Sequence, residues 1–143
     1  MKQIALGENI ELNDNDDYAI TKIKLEYGAS THATYEHGDT PLTDASINGK
    51  TEIAKLLLEY GADPNFRIQW TPLMFAATYD NIEIVRLLLE YKARVNVRES
   101  MGYTALMLAN GRNPEISNLI RKHGGVDTLD FSFTDEEIYT NSE

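Results

Sequence analysis

The stretch Lys55-Leu56-Leu57-Leu58-Glu59-Tyr60-Gly61-Ala62 decides how the rest of the chain is read, because it returns as Arg86-Leu87-Leu88-Leu89-Glu90-Tyr91-Lys92-Ala93. A shorter copy, Lys24-Leu25-Glu26-Tyr27-Gly28-Ala29, precedes both, and a weaker one, Leu119-Ile120-Arg121-Lys122-His123-Gly124-Gly125, follows them. The anchors Gly28, Gly61, Lys92 and Gly124 are 33, 31 and 32 residues apart. A second landmark, Thr40-Pro41-Leu42, recurs as Thr71-Pro72-Leu73 and Thr104-Ala105-Leu106 at intervals of 31 and 33. Two independent landmarks with one period mark a repeat protein built from a single supersecondary unit.

Each unit reads as two short helices and a loop. Thr40 and Thr71 are suited to cap a helix whose first position is proline, where the missing N–H costs nothing and the fixed φ helps. Ala45, Ala76 with Ala77, and Ala109 keep that helix thin. The next helix carries Ile53/Leu56/Leu57, Ile84/Leu87/Leu88 and Ile116/Leu119/Ile120 at i, i+3, i+4, an apolar stripe that forms the core. Gly28, Gly61 and Gly124 follow the last turn, where a left-handed residue ends a helix. Such a unit has too little surface to bury its stripe alone, so neighbours must stack into a short all-α solenoid.

These residues resemble the ankyrin repeat: Thr-Pro-Leu, the alanines after it, the triple leucine, and Gly-Ala-Asp-Pro-Asn at Gly61 to Asn65. The resemblance covers roughly residues 20–125, with three helix pairs and a degenerate opening repeat. It leaves 1–19 as an N-terminal cap and 126–143 as an acidic C-terminal extension or cap. It implies a curved stack with finger-like hairpin loops, a concave face made of fingers and first helices, and a role in binding other proteins. Three departures stand out. The finger between Gly61 and Thr71 is two residues shorter than its neighbours, the third repeat uses Asn113-Pro114 to open its second helix, and Lys92 replaces the terminal glycine. The family's histidine after Thr-Pro-Leu is here Thr43, Met74 and Met107, so its hydrogen bonds are absent from the expected set.

The length of 143 residues suits one domain, and 42% apolar with 25% charged residues is the balance of a folded globular chain. With no cysteine, disulfides, thiolate nucleophiles and cysteine-ligated metals are excluded. No apolar run approaches a membrane span or a secretion signal, which reads as a cytoplasmic protein with no membrane partner. The net charge of -10 argues against a general phosphate binder. That charge sits at the ends: residues 1–20 carry five acids and one lysine, 126–143 carry six acids and no base, and 21–125 balance 12 against 12.

Little in the sequence points to chemistry. His32, Glu36, His37 and Asp39 share one finger, but a hairpin tip gives metal ligands little second-shell support. The run Asn13 to Asp17 lacks the glycine and the closing glutamate of a calcium loop, having Ala19 and Leu25 at those places. No phosphate loop, nucleophile elbow or paired-histidine motif occurs. The chain is expected to be a non-enzyme with no cofactor or metal. Arg67, Arg94, Arg98 and Arg112 are scattered among acids, so direct nucleic-acid binding is not expected either.

Binding remains. In the short finger, Phe66, Ile68 and Trp70 alternate with Arg67 and Gln69 and would share one face of an extended segment, either packed between fingers or presented to a partner. Phe75, Tyr79 and Met74 from the next helix, with Met101 and Tyr103 beyond, would extend an apolar patch, although Met74 and Met107 are better read as inter-helix core, where methionine fills gaps readily. By the resemblance, Glu36, His37, Asp39, Ile47, Asn48, Trp70, Thr78, Tyr79, Ser100, Met101 and Tyr103 line the binding face, and Asp44 joins them. Such a mixed acidic and aromatic surface suits a protein with basic residues around an apolar centre. Leu129-Asp130-Phe131-Ser132-Phe133 and the capping-box spacing from Thr134 to Glu137 suit a terminal cap or an acidic hook.

The expected function is therefore a protein-interaction module, monomeric when free, acting as an immunity or antitoxin-like inhibitor. A regulatory adaptor, an acidic mimic of nucleic acid, and an enzyme with an unrecognised carboxylate site are the alternatives.

Overall fold

The computed structural model describes residues 10–109 and 112–128. These form seven helices: α1 (Tyr18–Glu26), α2 (Pro41–Asn48), α3 (Thr51–Glu59), α4 (Pro72–Thr78), α5 (Ile82–Glu90), α6 (Ala105–Ala109) and α7 (Pro114–Lys122). No strand occurs among the described residues. The fold is an all-α repeat solenoid. Helices α2, α4 and α6 stack as one row and α1, α3, α5 and α7 as the other, with the pairs α2–α3, α4–α5 and α6–α7 joining the rows. Among the described residues, helix α1 thus opens the second row without a first-row helix beside it. A strap ahead of it takes part of that place, burying Leu12 at 7% exposure.

Local chemistry sets the helix ends. The Thr40 and Thr71 hydroxyls accept the N–H of Thr43 at 3.1 Å and of Met74 at 3.3 Å, with Pro41 and Pro72 in the first turn. Asn113 Oδ1 caps α7 by accepting from Glu115 and Ile116. At the far ends, Gly28, Gly61 and Gly124 sit at φ near +90°, and Lys92 occupies the same turn at φ 66°. The lysine therefore adopts a left-handed conformation that costs an L-residue about 1 kcal/mol.

The apolar stripes meet between the rows. Leu57, Ile84, Leu88, Ile116 and Ile120 are fully buried, and Ala45, Ala54, Ala76, Ala77 and Ala109 let the helices approach closely. Met74 is wholly buried in the stack, whereas Met107, one repeat later, is half-buried.

Successive repeats are also tied by polar side chains. The residues just before the second-row helices, Lys50, Asn81 and Asn113, each reach back to the preceding unit. Lys50 Nζ donates to the Asp14 carbonyl at 3.0 Å, Asn81 Nδ2 to the Ser46 carbonyl at 2.6 Å, and Asn113 Nδ2 to Asp80 Oδ1 at 2.6 Å. In the fingers, Asn65 Oδ1 accepts from Arg94 N–H and Asn96 Oδ1 from Val126 N–H. Of these, the Asn81 bond meets a carbonyl in the last turn of α2, and the others tie loop backbone or a side-chain carboxylate across repeats.

After α7 the chain turns back along the third finger, where Thr104 Oγ1 donates to the Val126 carbonyl and Arg98 to the Thr128 carbonyl. The rest of the acidic extension, with its cap-or-hook alternatives, and the first nine residues of the N-terminal cap lie outside the described residues.

Candidate functional site

The fingers begin from a common hairpin plan. In the first, Tyr35 N–H donates to the Asp39 carbonyl and Gly38 N–H to the Tyr35 carbonyl, both at 2.8 Å. The third repeats this with Glu99 and Tyr103 at 3.0 Å and Gly102 and Glu99 at 2.8 Å. Gly38 and Gly102 take φ of 97° and 87° at the tips, a conformation that favours glycine. Glu99 is buried, and its Oε1 accepts from the N–H groups of Met101 and Tyr103, holding the third tip closed. The middle finger differs. Two residues shorter, it turns at Asp63 to Phe66 and bends through 68–70.

That bend leaves a groove of about 250 Å³ between the first and second fingers, above α2 and α4. One wall is His37, Gly38 and Asp39; the other is Ile68, Gln69 and Trp70, with Thr43 and Phe75 from the helices. Trp70 and Phe75 pack ring to ring, with centroids 5.2 Å apart and planes at 44°. Ile68 is 61% exposed.

The acidic wall has an ordered background. His37 lies 3.3 Å from Asp39 Oδ2, 3.6 Å from Asp14 Oδ2 and 4.0 Å from Asp44 Oδ1. Two lysines fix the strap that brings Asp14 here: Lys24 Nζ bonds Asp16 and the Glu11 carbonyl, and Lys50 Nζ bonds Asp44 at 2.8 Å and the Asp14 carbonyl. Tyr35 packs on His37, with centroids 5.8 Å apart. Burial, and then the charges of Asp44, Asp16 and Asp14, holds the Tyr35 hydroxyl well above the usual phenol range.

Of the residues expected on the binding face, the structure gathers His37, Asp39, Ile68, Trp70 and Phe75 around this groove. Glu36 is exposed beside it and lines a second cleft of about 590 Å³ against the strap. Asp44, expected on the face, is instead 6% exposed, its carboxylate held by Lys50 and Asn48, so it acts only as charge beneath His37. Phe66 is 37% exposed and does not line the groove, because the bend at 68–70 breaks the alternation that would align it with Ile68 and Trp70. Ile47 and Thr78 are half-buried, while Asn48 and Tyr79 are exposed at the C-terminal ends of α2 and α4. Ser100 and Met101 are exposed at the third fingertip, and Tyr103 is half-buried beside them. No group of His, Cys, Asp or Glu suited to hold a metal occurs among the described residues, and none of their helices is long and apolar enough to cross a membrane.

Sequence reasoning missed the groove's lower rim. In the sequence Thr43 stands only in place of the family histidine and Gln69 only as the polar partner of an alternation, yet both line the groove. The shortened finger was the signal available for that position.

Known proteins share this pattern. A family model of ankyrin repeats in three copies matches residues 66–130, and one of ankyrin repeats in many copies matches 42–89. The ankyrin repeat protein YahD of Escherichia coli is 48% identical over 59 residues, 40% of this chain and 29% of that protein. An ankyrin repeat protein of Rickettsia bellii is 45% identical over 53 residues, 36% of this chain and 6% of its own length. The BCL-6 corepressor-like protein 1 of Homo sapiens is 44% identical over 45 residues, 32% of this chain and 2% of its own length. The chain thus spans less than a third of each of these relatives, and what they share with it is the repeat. The family matches, the 31- to 33-residue period and the two-row stack agree, and the chain belongs to the ankyrin-repeat family.

Proposed function

We propose that this protein is a non-catalytic binding module that occupies the surface of another protein through its concave face. Ankyrin repeats generally mediate protein–protein interaction. The observation that carries the finer reading is the groove between the first two fingers, where an acidic wall faces an aromatic one. A protein with basic residues around an apolar centre complements it in both charge and shape. Tyr79 at the end of α4, 54% exposed, and Met101 at the third tip, 66% exposed, extend the apolar part of the face. The acidic ends of the sequence add long-range attraction toward the same kind of partner.

The role we favour is inhibition by occupation, as in an immunity or antitoxin-like protein acting as a monomer in the cytoplasm. An adaptor would use the same face. Mimicry of nucleic acid is the second reading, favoured by the concentration of charge at the termini, and it requires strong salt dependence and displacement of DNA from the partner.

The test is quantitative affinity capture from the native host with mass spectrometry, followed by titration of the captured protein. Trp70→Ala and Tyr79→Ala should each weaken binding by more than about 1 kcal/mol, roughly fivefold in Kd. Wild-type affinity in both variants would refute the concave-face reading.

A further inference from the structure

We infer that the groove between the first and second fingers is an arginine-reading pocket, in which a partner's guanidinium lies between the Asp39 carboxylate and the Trp70 ring. This rests on the concave-face reading above and adds the side chain that the face selects.

Size is the first argument. At about 250 Å³ the groove lies below the roughly 300–1,000 Å³ typical of pockets that hold an independent small ligand. It matches one long side chain contributed by a larger partner.

Charge is the second. Lys24 is committed to Asp16 and Lys50 to Asp44, so the lysines of this region are used inside the fold. Asp39 pairs with no lysine or arginine among the described residues, and its nearest ring nitrogen is that of His37 at 3.3 Å. Its side chain is 31% exposed, open enough to be reached and sheltered enough for the interaction to exceed that of a fully solvated pair. Asp14 stands behind His37 at 3.6 Å and adds negative charge to the wall, whereas the Asp44 charge is met by Lys50.

Shape is the third. Trp70 and Phe75, their ring planes at 44° to each other, form an aromatic wall on the opposite side. A planar guanidinium stacks on an indole face while its N–H fork meets a carboxylate in two parallel bonds. A lysine ammonium supplies the charge without the plane or the fork, and Ile68, 61% exposed at the rim, offers contact to the apolar stem or to a neighbouring apolar residue. The pocket should therefore prefer arginine to lysine, and both to a neutral isostere.

Trp70 is the only tryptophan of the chain, so its fluorescence reports directly on this pocket. The probes are N-acetyl-Leu-Arg-Leu-amide and its lysine and citrulline counterparts, titrated against the full-length protein. The expected result is a saturable change with the arginine peptide, at least fivefold weaker binding of the lysine peptide and weaker still of the citrulline one. In Asp39→Asn, an isosteric change verified as folded by circular dichroism, the preference for arginine over citrulline should fall at least fivefold, leaving the part that stacking on Trp70 supplies. An arginine peptide that binds no better than citrulline or lysine, an unchanged ratio in Asp39→Asn, or no saturable response up to about 10 mM would overturn the pocket. Failure here, with Trp70→Ala and Tyr79→Ala still weakening the captured partner, would leave the concave-face reading standing; failure of both would remove it.

Discussion

Replacing Asn81 by alanine should weaken the coupling between the first two helix pairs. Asn81 precedes α5 but makes no capping bond with its side chain; instead its amide donates 2.6 Å to the Ser46 carbonyl and 3.4 Å to that of Ile47, at the end of α2. Truncation removes one short bond to a carbonyl with little other recourse in a half-buried site, a loss of about 1–2 kcal/mol. For a folded body of this size that corresponds to a fall of roughly 4–8 °C in Tm. Asn81→Asp is the sharper probe. It keeps the shape but exchanges the donor for a charged acceptor aimed at a carbonyl, and should cost more than alanine. Urea unfolding followed both by circular dichroism at 222 nm and by Trp70 fluorescence gives the free energy and tests cooperativity. With the tie cut, coupling between the first two helix pairs weakens, so the two transitions should begin to diverge. Unfolding free energies within about 0.3 kcal/mol of wild type for both variants would refute the tie as a source of stability.

Three further outcomes follow from local geometry. Lys92→Gly releases a left-handed lysine at φ 66° but adds chain entropy to the unfolded state, for a net gain of about 0.5 kcal/mol; an unchanged or lower unfolding midpoint would refute it. Gly125→Ala would place its Cβ 2.5 Å from Ile120 Cγ2 and 2.9 Å from the Ile120 carbonyl oxygen, and thermal unfolding should show a loss of about 1–3 kcal/mol. Because Tyr35 is held above the usual phenol range, the folded state retains its proton longer than the unfolded one does. Its contribution to stability is complete below about pH 10 and declines as the pH rises further. The stability difference between wild type and Tyr35→Phe, measured by urea unfolding, should therefore fall above that pH, and a constant difference would refute the raised value.

The stack follows from local signals in the chain. Its period, the Thr-Pro helix starts, the thin alanine-bearing helices and the leucine stripes are local instructions written once per repeat, and a unit that buries its stripe only against a neighbour has one arrangement open to it. Even the irregular residues were legible where their chemistry is local. Asn113-Pro114 opens α7, and Lys92 stands where its neighbours have glycine and accepts the glycine conformation. The site depends instead on contacts between repeats. Asp44 is buried because Lys50 and Asn48 meet its carboxylate, and Asn81 serves α2, 35 residues away from its Ser46 contact, in preference to its own helix. The alternation of Phe66, Ile68 and Trp70 promised one face, but a finger two residues short bends, sending Trp70 against Phe75 and opening the groove toward Asp39. Periodicity governs what each repeat does alone. The space between two fingers depends on how unequal loops lie side by side, and that is fixed by contacts across about thirty residues of chain, which no local pattern encodes.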